Sequence, residues 1–175
     1  MISASRLVKT YGTIKALDHV TLEISKGEIC GILGPNGAGK TTLFKILCGL
    51  VSQDSGTYKI ESKKVKAIGA IIEKPALFEY ISARQNLMVL SRIQGAPKDR
   101  PSIDAALRLV GLPLDRNDPV RHFSLGMKQR LGLAIALIND PDCLILDEPF
   151  LGLDPVAMQS LSALIKKLAR DSFST

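Results

Sequence analysis

The sequence has no uninterrupted apolar stretch approaching the roughly eighteen residues that a membrane-spanning helix needs. Its start, Met1-Ile2-Ser3-Ala4-Ser5-Arg6, has no apolar segment of the kind a secretory leader carries. The expectation is a chain that neither crosses nor enters a membrane by itself. Cysteine is scarce: Cys30, Cys48 and Cys143 are odd in number, sit in apolar segments and show no C-x-x-C spacing. That argues against metal ligation and for reduced, buried thiols in a cytosolic protein. No long run of one charge occurs; 23 basic and 17 acidic residues leave a formal charge of +6 spread along the chain. Such a spread reads as a solvated face, and with no nucleic-acid motif present, no nucleic-acid partner is expected. Repeats and low-complexity tracts are missing too. What remains is 175 residues, 46% hydrophobic, enough for one large domain or a domain with a subdomain.

What is present centres on Gly34-Pro35-Asn36-Gly37-Ala38-Gly39-Lys40-Thr41. The apolar run Ile29-Cys30-Gly31-Ile32-Leu33 before it has strand length, and Thr42 to Leu47 behind it has helical spacing. In a strand, loop and helix so arranged, glycines let backbone N–H groups fold into an anion-binding nest at a helix N-terminus. A triphosphate fits there. Lys40 would reach the β- and γ-phosphates, and Thr41 would offer its hydroxyl to Mg²⁺. The pattern arises by chance in roughly one chain of this length in a few hundred, so a glycine-rich turn with an exposed lysine is the weaker reading.

Upstream, Ile2 to Val8 and His19 to Ile24 alternate apolar and polar residues, which predicts a short antiparallel pair before the turn at Lys26-Gly27. Tyr11 falls in the loop between them, where it either stacks on a purine base or simply packs. Downstream, Ser52 to Gly56 reads as a turn leading to a strand from Tyr58 to Ile60. Ala67 to Ile72 is a short, β-branched, buried strand that stops at Glu73-Lys74-Pro75.

The spacing predicts helices over Ser82–Gly95, with Ser82 and Gln85 forming a capping box, and over Ser102–Val110. Gly126 to Asn139 carries a strongly apolar stripe, with Ser124 as an N-cap and a weak candidate anion seat. Cys143-Leu144-Ile145-Leu146 then ends in Asp147-Glu148-Pro149. Apolar residues ending in two carboxylates describe a central parallel strand whose C-terminal end meets a ligand site. Asp147 would hold Mg²⁺ through water, and Glu148 would take a proton from an attacking water or orient it. Gly152 to Pro155 is a turn, with Asp154 or Pro155 opening a last helix from Val156 to Arg170.

Taken together these motifs resemble the nucleotide-binding subunit of ABC transporters, in the family's order and over nearly the whole chain. Gly34 to Thr42 is similar to the Walker A segment, Cys143 to Glu148 to the Walker B strand with its catalytic glutamate, and Gly152 to Asp154 to the D-loop. Phe123-Ser124-Leu125-Gly126-Met127, followed by Lys128-Gln129-Arg130, lies where the signature L-S-G-G-Q is found. Tyr11 falls at the position of the adenine-stacking aromatic. Leu125 and Met127 replace a glycine and the glutamine of the signature, Glu73 stands in for the Q-loop glutamine, and Phe150-Leu151 replaces Thr-Asn. The first two departures resemble the ATPases of bacitracin-type and lantibiotic-immunity exporters.

The resemblance implies an α/β P-loop NTPase with a RecA-like parallel-sheet core (1–73 and 126–175), an N-terminal antiparallel β subdomain and an inserted helical subdomain (74–125). It implies ATP and Mg²⁺ as cofactors, ATP being bound by Tyr11, Gly34, Pro35, Asn36, Gly37, Ala38, Gly39, Lys40, Thr41 and Thr42. Ser124 and Gly126 would close on it from the other subunit of a head-to-tail homodimer, or from a second ATPase subunit. Thr41, Asp147 and Glu73 would face the metal, and Glu148 would be catalytic. A transmembrane permease subunit is the implied partner, and the implied place is the cytoplasmic face of the membrane.

The family's switch histidine lies beyond the D-loop helix, whereas His19 and His122 lie upstream of it and the sequence ends at Ser172-Phe173-Ser174-Thr175. The expectation is therefore a truncated chain that binds ATP but hydrolyses it poorly, with Glu148→Gln changing little. The alternatives are a nucleotide-binding module without catalysis and a soluble ABC ATPase of translation or repair. A P-loop kinase or GTPase leaves Ser124 to Arg130 unexplained.

Overall fold

The computed structural model describes residues 1–64 and 67–171. Ser172 to Thr175, on which the expectation of a truncated chain rests, lie outside the described residues. The chain forms two compact units, Met1–Ala67 with the chain's end from Ile165, and Ile68–Leu164.

In the first unit, strands β1 (Ile2–Tyr11) and β2 (Ile14–Ile24) form an antiparallel hairpin. A third strand, β3 (Ser55–Ile60), joins the free edge of β1, giving the order β2-β1-β3. Alternation explains the pairing: Ile2, Ala4 and Leu7 are buried on one side, while Ser3 and Ser5 face the other and pair with Glu23, Lys59 and Thr57. Both strands of the hairpin run further than the sequence suggests, so Tyr11 closes β1 opposite Ile14 and does not lie in a loop. Register shifts between Ala4 and Leu7 and again at Lys9 interrupt the alternation, and Arg6 (φ 53°) and His19 (φ 52°) take left-handed backbone there. Asp54 ties the turn before β3 to β1, accepting from Lys9 Nζ at 2.8 Å and from the Thr10 N–H at 2.7 Å.

The run Ile29 to Leu33 is a correction. It pairs with no strand among the described residues, and Ile29 and Leu33 are 58% and 95% exposed. An apolar run becomes a strand only where neighbouring edges bond its backbone, and strand preference depends strongly on that context. Cys30, in the same run, is exposed, and Cys48 and Cys143 are half-buried; none of the three is in a disulfide, and the expected burial fails at Cys30.

In the second unit, β4 (Ile68–Ile71) and β5 (Cys143–Leu146) form a parallel pair in which Ile71 faces Leu146. Helix α4 (Leu125–Leu137) crosses beside them, buried through Leu131, Leu133, Ala134 and Ala136. Helices α2 (Ala83–Ile93) and α3 (Arg100–Leu109) pack on α4 and on each other, joined by an Arg84–Asp104 ion pair at 2.9 Å. The capping box at Ser82 and Gln85 is present, while Asp99, missed in the sequence, caps α3 by accepting from the Ser102 N–H at 3.0 Å. Helix α5 (Pro155–Asp171) starts as expected, with Asp154 accepting from the Val156 and Ala157 N–H groups. Among the described residues no helix is long and apolar enough to cross a membrane.

Candidate functional site

The phosphate-loop candidates all lie in the first unit. Helix α1 (Lys40–Leu47) begins directly after Gly39, has no side-chain cap and carries no acidic residue in its first turn. A helix start with no side-chain cap and no carboxylate of its own in the first turn suits an anion. Gly39 adopts φ 86°, ψ 4°, and a Cβ built on it would overlap the Ala16 carbonyl oxygen of β2. Two independent constraints thus demand glycine at this position. Gly37 also has positive φ, 82°, but open space around it.

Lys40 folds back over the loop and donates to the carbonyls of Gly34 (2.8 Å) and Pro35 (3.0 Å). Its ammonium is thereby held above the backbone that would receive phosphate. Pro35, Asn36 and Ala38 are exposed, and the loop closes on itself through the Ala38 N–H bonding to Pro35 O at 3.2 Å. Thr41 and Thr42, half-buried, occupy the first turn of α1. Leu43, Ile46 and Leu47 of that helix are buried. The β2 strand that passes Gly39 belongs to the hairpin bearing Tyr11, whose ring is 47% exposed with Lys9 Nζ 5.4 Å from its centroid.

The carboxylate candidates lie in the second unit. Glu73 follows β4, and Asp147 and Glu148 follow β5; because the two strands are parallel and in register, all three leave the same end of the ladder. The Asp147 N–H donates to Ile71 O at 2.9 Å, carrying the ladder one residue further. Asp147 is buried at 3% exposure, whereas Glu73 and Glu148 are exposed. Both glutamates have left-handed backbone, φ 64° and 47°, a conformation that costs a non-glycine residue about 1–3 kcal/mol and clusters at functional sites. At Glu73 the Lys74 N–H bonds back to Ile72 O at 2.9 Å, a three-residue turn just past the end of β4.

Ser124 and Gly126 stand at the start of α4. Ser124 Oγ accepts from the Met127 N–H at 3.3 Å, an N-cap as its sequence position suggests. Gly126 faces Ala157 and Leu153, and Gly152 packs close to the Leu125 side chain, so the signature-like segment and the turn before α5 form one continuous surface. Lys128 is tied to Glu79 at 2.7 Å, and Arg130 donates to Val110 O at 2.6 Å and to Ser160 Oγ.

Sequence reasoning missed Asn86, fully buried in α2, whose Nδ2 donates to Phe78 O and Ser82 O (3.0 Å each) while its Oδ1 accepts from the Phe78 N–H at 2.8 Å. It fastens the loop that follows Glu73 to the helices. A polar residue on the apolar stripe of α2 was the available sign. Also missed was Arg116, which bonds Asp118 through Nε at 2.6 Å and Nη2 at 3.0 Å and holds that carboxyl below its usual range. An arginine and an aspartate two apart in an irregular segment give no periodic cue.

A model of the ABC transporter family matches residues 17–151. The lantibiotic transport ATP-binding protein SrtF of Streptococcus pyogenes is 42% identical over 99% of this chain and 77% of its own length. The bacitracin transport ATP-binding protein BcrA of Bacillus licheniformis is also 42% identical, over 98% of this chain; the chain spans 58% of BcrA. Among solved structures, the dimeric ATP-binding cassette MJ0796 in a post-hydrolysis state bound to ADP and Pi superposes with a TM-score of 0.85 at 26% identity, covering 98% of this chain and 84% of that one.

Proposed function

Since this chain belongs to the ABC transporter family and is one of its ATPase domains, we propose that it powers export of a peptide antibiotic or similar amphipathic compound through a separate membrane subunit. The observation that carries ATP binding is the glycine-capped start of α1 beneath a folded-back Lys40. Export, and the class of compound, rest on the likeness to the SrtF and BcrA proteins.

In this reading Tyr11 stacks on adenine, Gly34 to Thr42 wrap the triphosphate, and Lys40 leaves its two carbonyls for the β- and γ-phosphates. Among the described residues no three His, Cys, Asp or Glu side chains gather into a metal cage. Mg²⁺ is a hard cation that takes oxygen donors, and a hydroxyl with carboxylates is a set that would suit it beside a nucleotide's phosphates. Thr41 would give it a hydroxyl, and Asp147 and Glu73 carboxylates, directly or through water; the ion supplies neutralisation of phosphate charge. Glu148, exposed on strained backbone at the end of β5, orients an attacking water and accepts its proton. A glutamate at 73 adds negative charge where the family's glutamine is neutral, which alters coupling more than binding.

Ser124 and Gly126 of a second copy close over the nucleotide in a head-to-tail pair related by two-fold symmetry, an isologous arrangement. The helices within 74–125 and the loop after Glu73 form a subdomain that grips the permease, which keeps the chain at the cytoplasmic face of the membrane.

The test is thermal unfolding of the full chain with and without Mg-ATP. Ligand that prefers the native state stabilises it by mass action, about 2.7 kcal/mol at a hundredfold excess over Kd. A midpoint raised by Mg-ATP, with the shift lost in Lys40→Ala, supports the reading; an unchanged midpoint, or an equal shift in Lys40→Ala, overturns it. Co-purification from membranes tests the permease separately, and its absence counts against the transport role.

A further inference from the structure

We propose that Arg116 is a positioning residue that sets the signature-like segment, and with it the Ser124 hydroxyl, in the orientation needed to close on a nucleotide held by a second copy. The inference rests on the closing role assigned above to Ser124 and Gly126.

One guanidinium gathers contacts from both sides of Ser124. Its Nη2 donates to His122 O at 3.3 Å, its Cζ lies over the Phe123 ring 4.8 Å from the centroid, and its Nη1 reaches Met127 Sδ at 3.3 Å. Met127 is the residue whose N–H caps onto Ser124 Oγ. Residues before, beside and after the serine are therefore fixed by one side chain. Arg116 is itself held by the fork to Asp118, and Asp118 also approaches His122 Nδ1 at 3.8 Å.

The chemistry requires arginine. A planar fork bonds a carboxylate twice, keeps further N–H groups for a carbonyl and a sulfur, and stacks flat on an aromatic ring. An ammonium does one of these at a time. The arrangement also accounts for Met127 standing where the family signature has glutamine: a flexible thioether accepts weakly from the guanidinium and leaves it free to bond Asp118 and His122. The segment 120–124 is a single 3-10 turn, Val120–His122, followed by extended Phe123 and Ser124. Backbone bonds from the Val120 N–H to Ile81 O (3.0 Å) and from the Arg121 N–H to Glu79 O (2.9 Å) hold the start of the turn, and the Arg116 side chain adds its contacts at His122, Phe123 and Met127, around Ser124.

The experiment uses the full chain with Glu148→Gln to hold ATP, and reads ATP-dependent dimerisation by sedimentation beside nucleotide affinity at protein concentrations too low for dimers. Arg116→Ala is expected to weaken the ATP-dependent dimer at least tenfold, as does Ser124→Ala, and to leave nucleotide affinity within twofold. Arg116→Lys is expected to recover little of the loss, and Asp118→Asn to give an intermediate one. Hydrogen exchange over 122–128 should quicken in Arg116→Ala while α1 is unchanged, which separates local positioning from general unfolding. A dimer as tight in Arg116→Ala as in the parent, with Ser124→Ala impaired, overturns the role of Arg116 and leaves the closing role standing. A parent that forms no dimer with ATP, or one that Ser124→Ala does not weaken, overturns the closing role and this inference with it.

Discussion

Replacing the two positive-φ glycines of the phosphate loop by alanine separates backbone preference from steric contact. Gly37 and Gly39 have nearly the same φ, 82° and 86°, so each alanine carries a similar left-handed penalty of about 1–2 kcal/mol. Each also gains about 0.4–1 kcal/mol by narrowing the unfolded ensemble. These contributions cancel in the comparison. What differs is the space: nothing lies within 4 Å of a Cβ on Gly37, whereas on Gly39 it overlaps Ala16 O and sits 3.0 Å from Leu17 Cδ2. Leu17 is buried, and a backbone carbonyl in a strand does not rotate away, so the collision must be relieved by shifting β2 or the start of α1. Relief of such overpacking costs about 1–3 kcal/mol. Gly39→Ala is therefore expected to be less stable than Gly37→Ala by about 1–3 kcal/mol, or by roughly 2–12 °C in midpoint. Urea and thermal unfolding of both variants without nucleotide measure this directly. Losses equal to within about 0.5 kcal/mol would refute the steric half of the reasoning, because the dihedral cost alone predicts equality.

Further outcomes follow from the same contacts. Asn86→Leu removes the bonds to Phe78 and Ser82 and is expected to cost about 3 kcal/mol, read as a lowered urea midpoint; a loss under about 0.5 kcal/mol would mean that water replaces them. The Lys9 ammonium first, and then the Thr10 N–H, hold the Asp54 carboxyl below its ordinary value. A depressed folded pKa contributes stability that is fully present above the unfolded pKa, near 4, and is lost as pH falls through the folded value. Asp54→Asn should thus flatten the fall in melting temperature as pH drops below about 4; an unchanged slope would count against the contact. Glu148→Gln should keep the Mg-ATP shift in melting temperature and change the rate of phosphate release little; a large drop in that rate would refute the expected poor turnover, and loss of the shift would place Glu148 in binding.

Much of the chemistry was legible because it depends on residue type at fixed local spacing. Gly34 to Thr41 announced a loop before a helix, Ser82 with Gln85 announced a cap, and Asp154-Pro155 announced the start of α5; each is closed by bonds spanning three or four residues. The order of motifs sufficed to identify the family. Tertiary structure decided what depends on partners distant in sequence. Ile29 to Leu33 has strand composition but meets no neighbouring edge among the described residues, and Tyr11 became the end of a strand because Ile14 pairs with it. The left-handed backbone at Glu73 and Glu148 stands just past the ends of β4 and β5, and the grip of Arg116 comes from an irregular turn that brings His122, Phe123 and Met127 together. A sequence by itself determines local hydrogen bonding and intrinsic backbone preference, whereas burial, strand pairing and side-chain convergence arise only once chain segments meet.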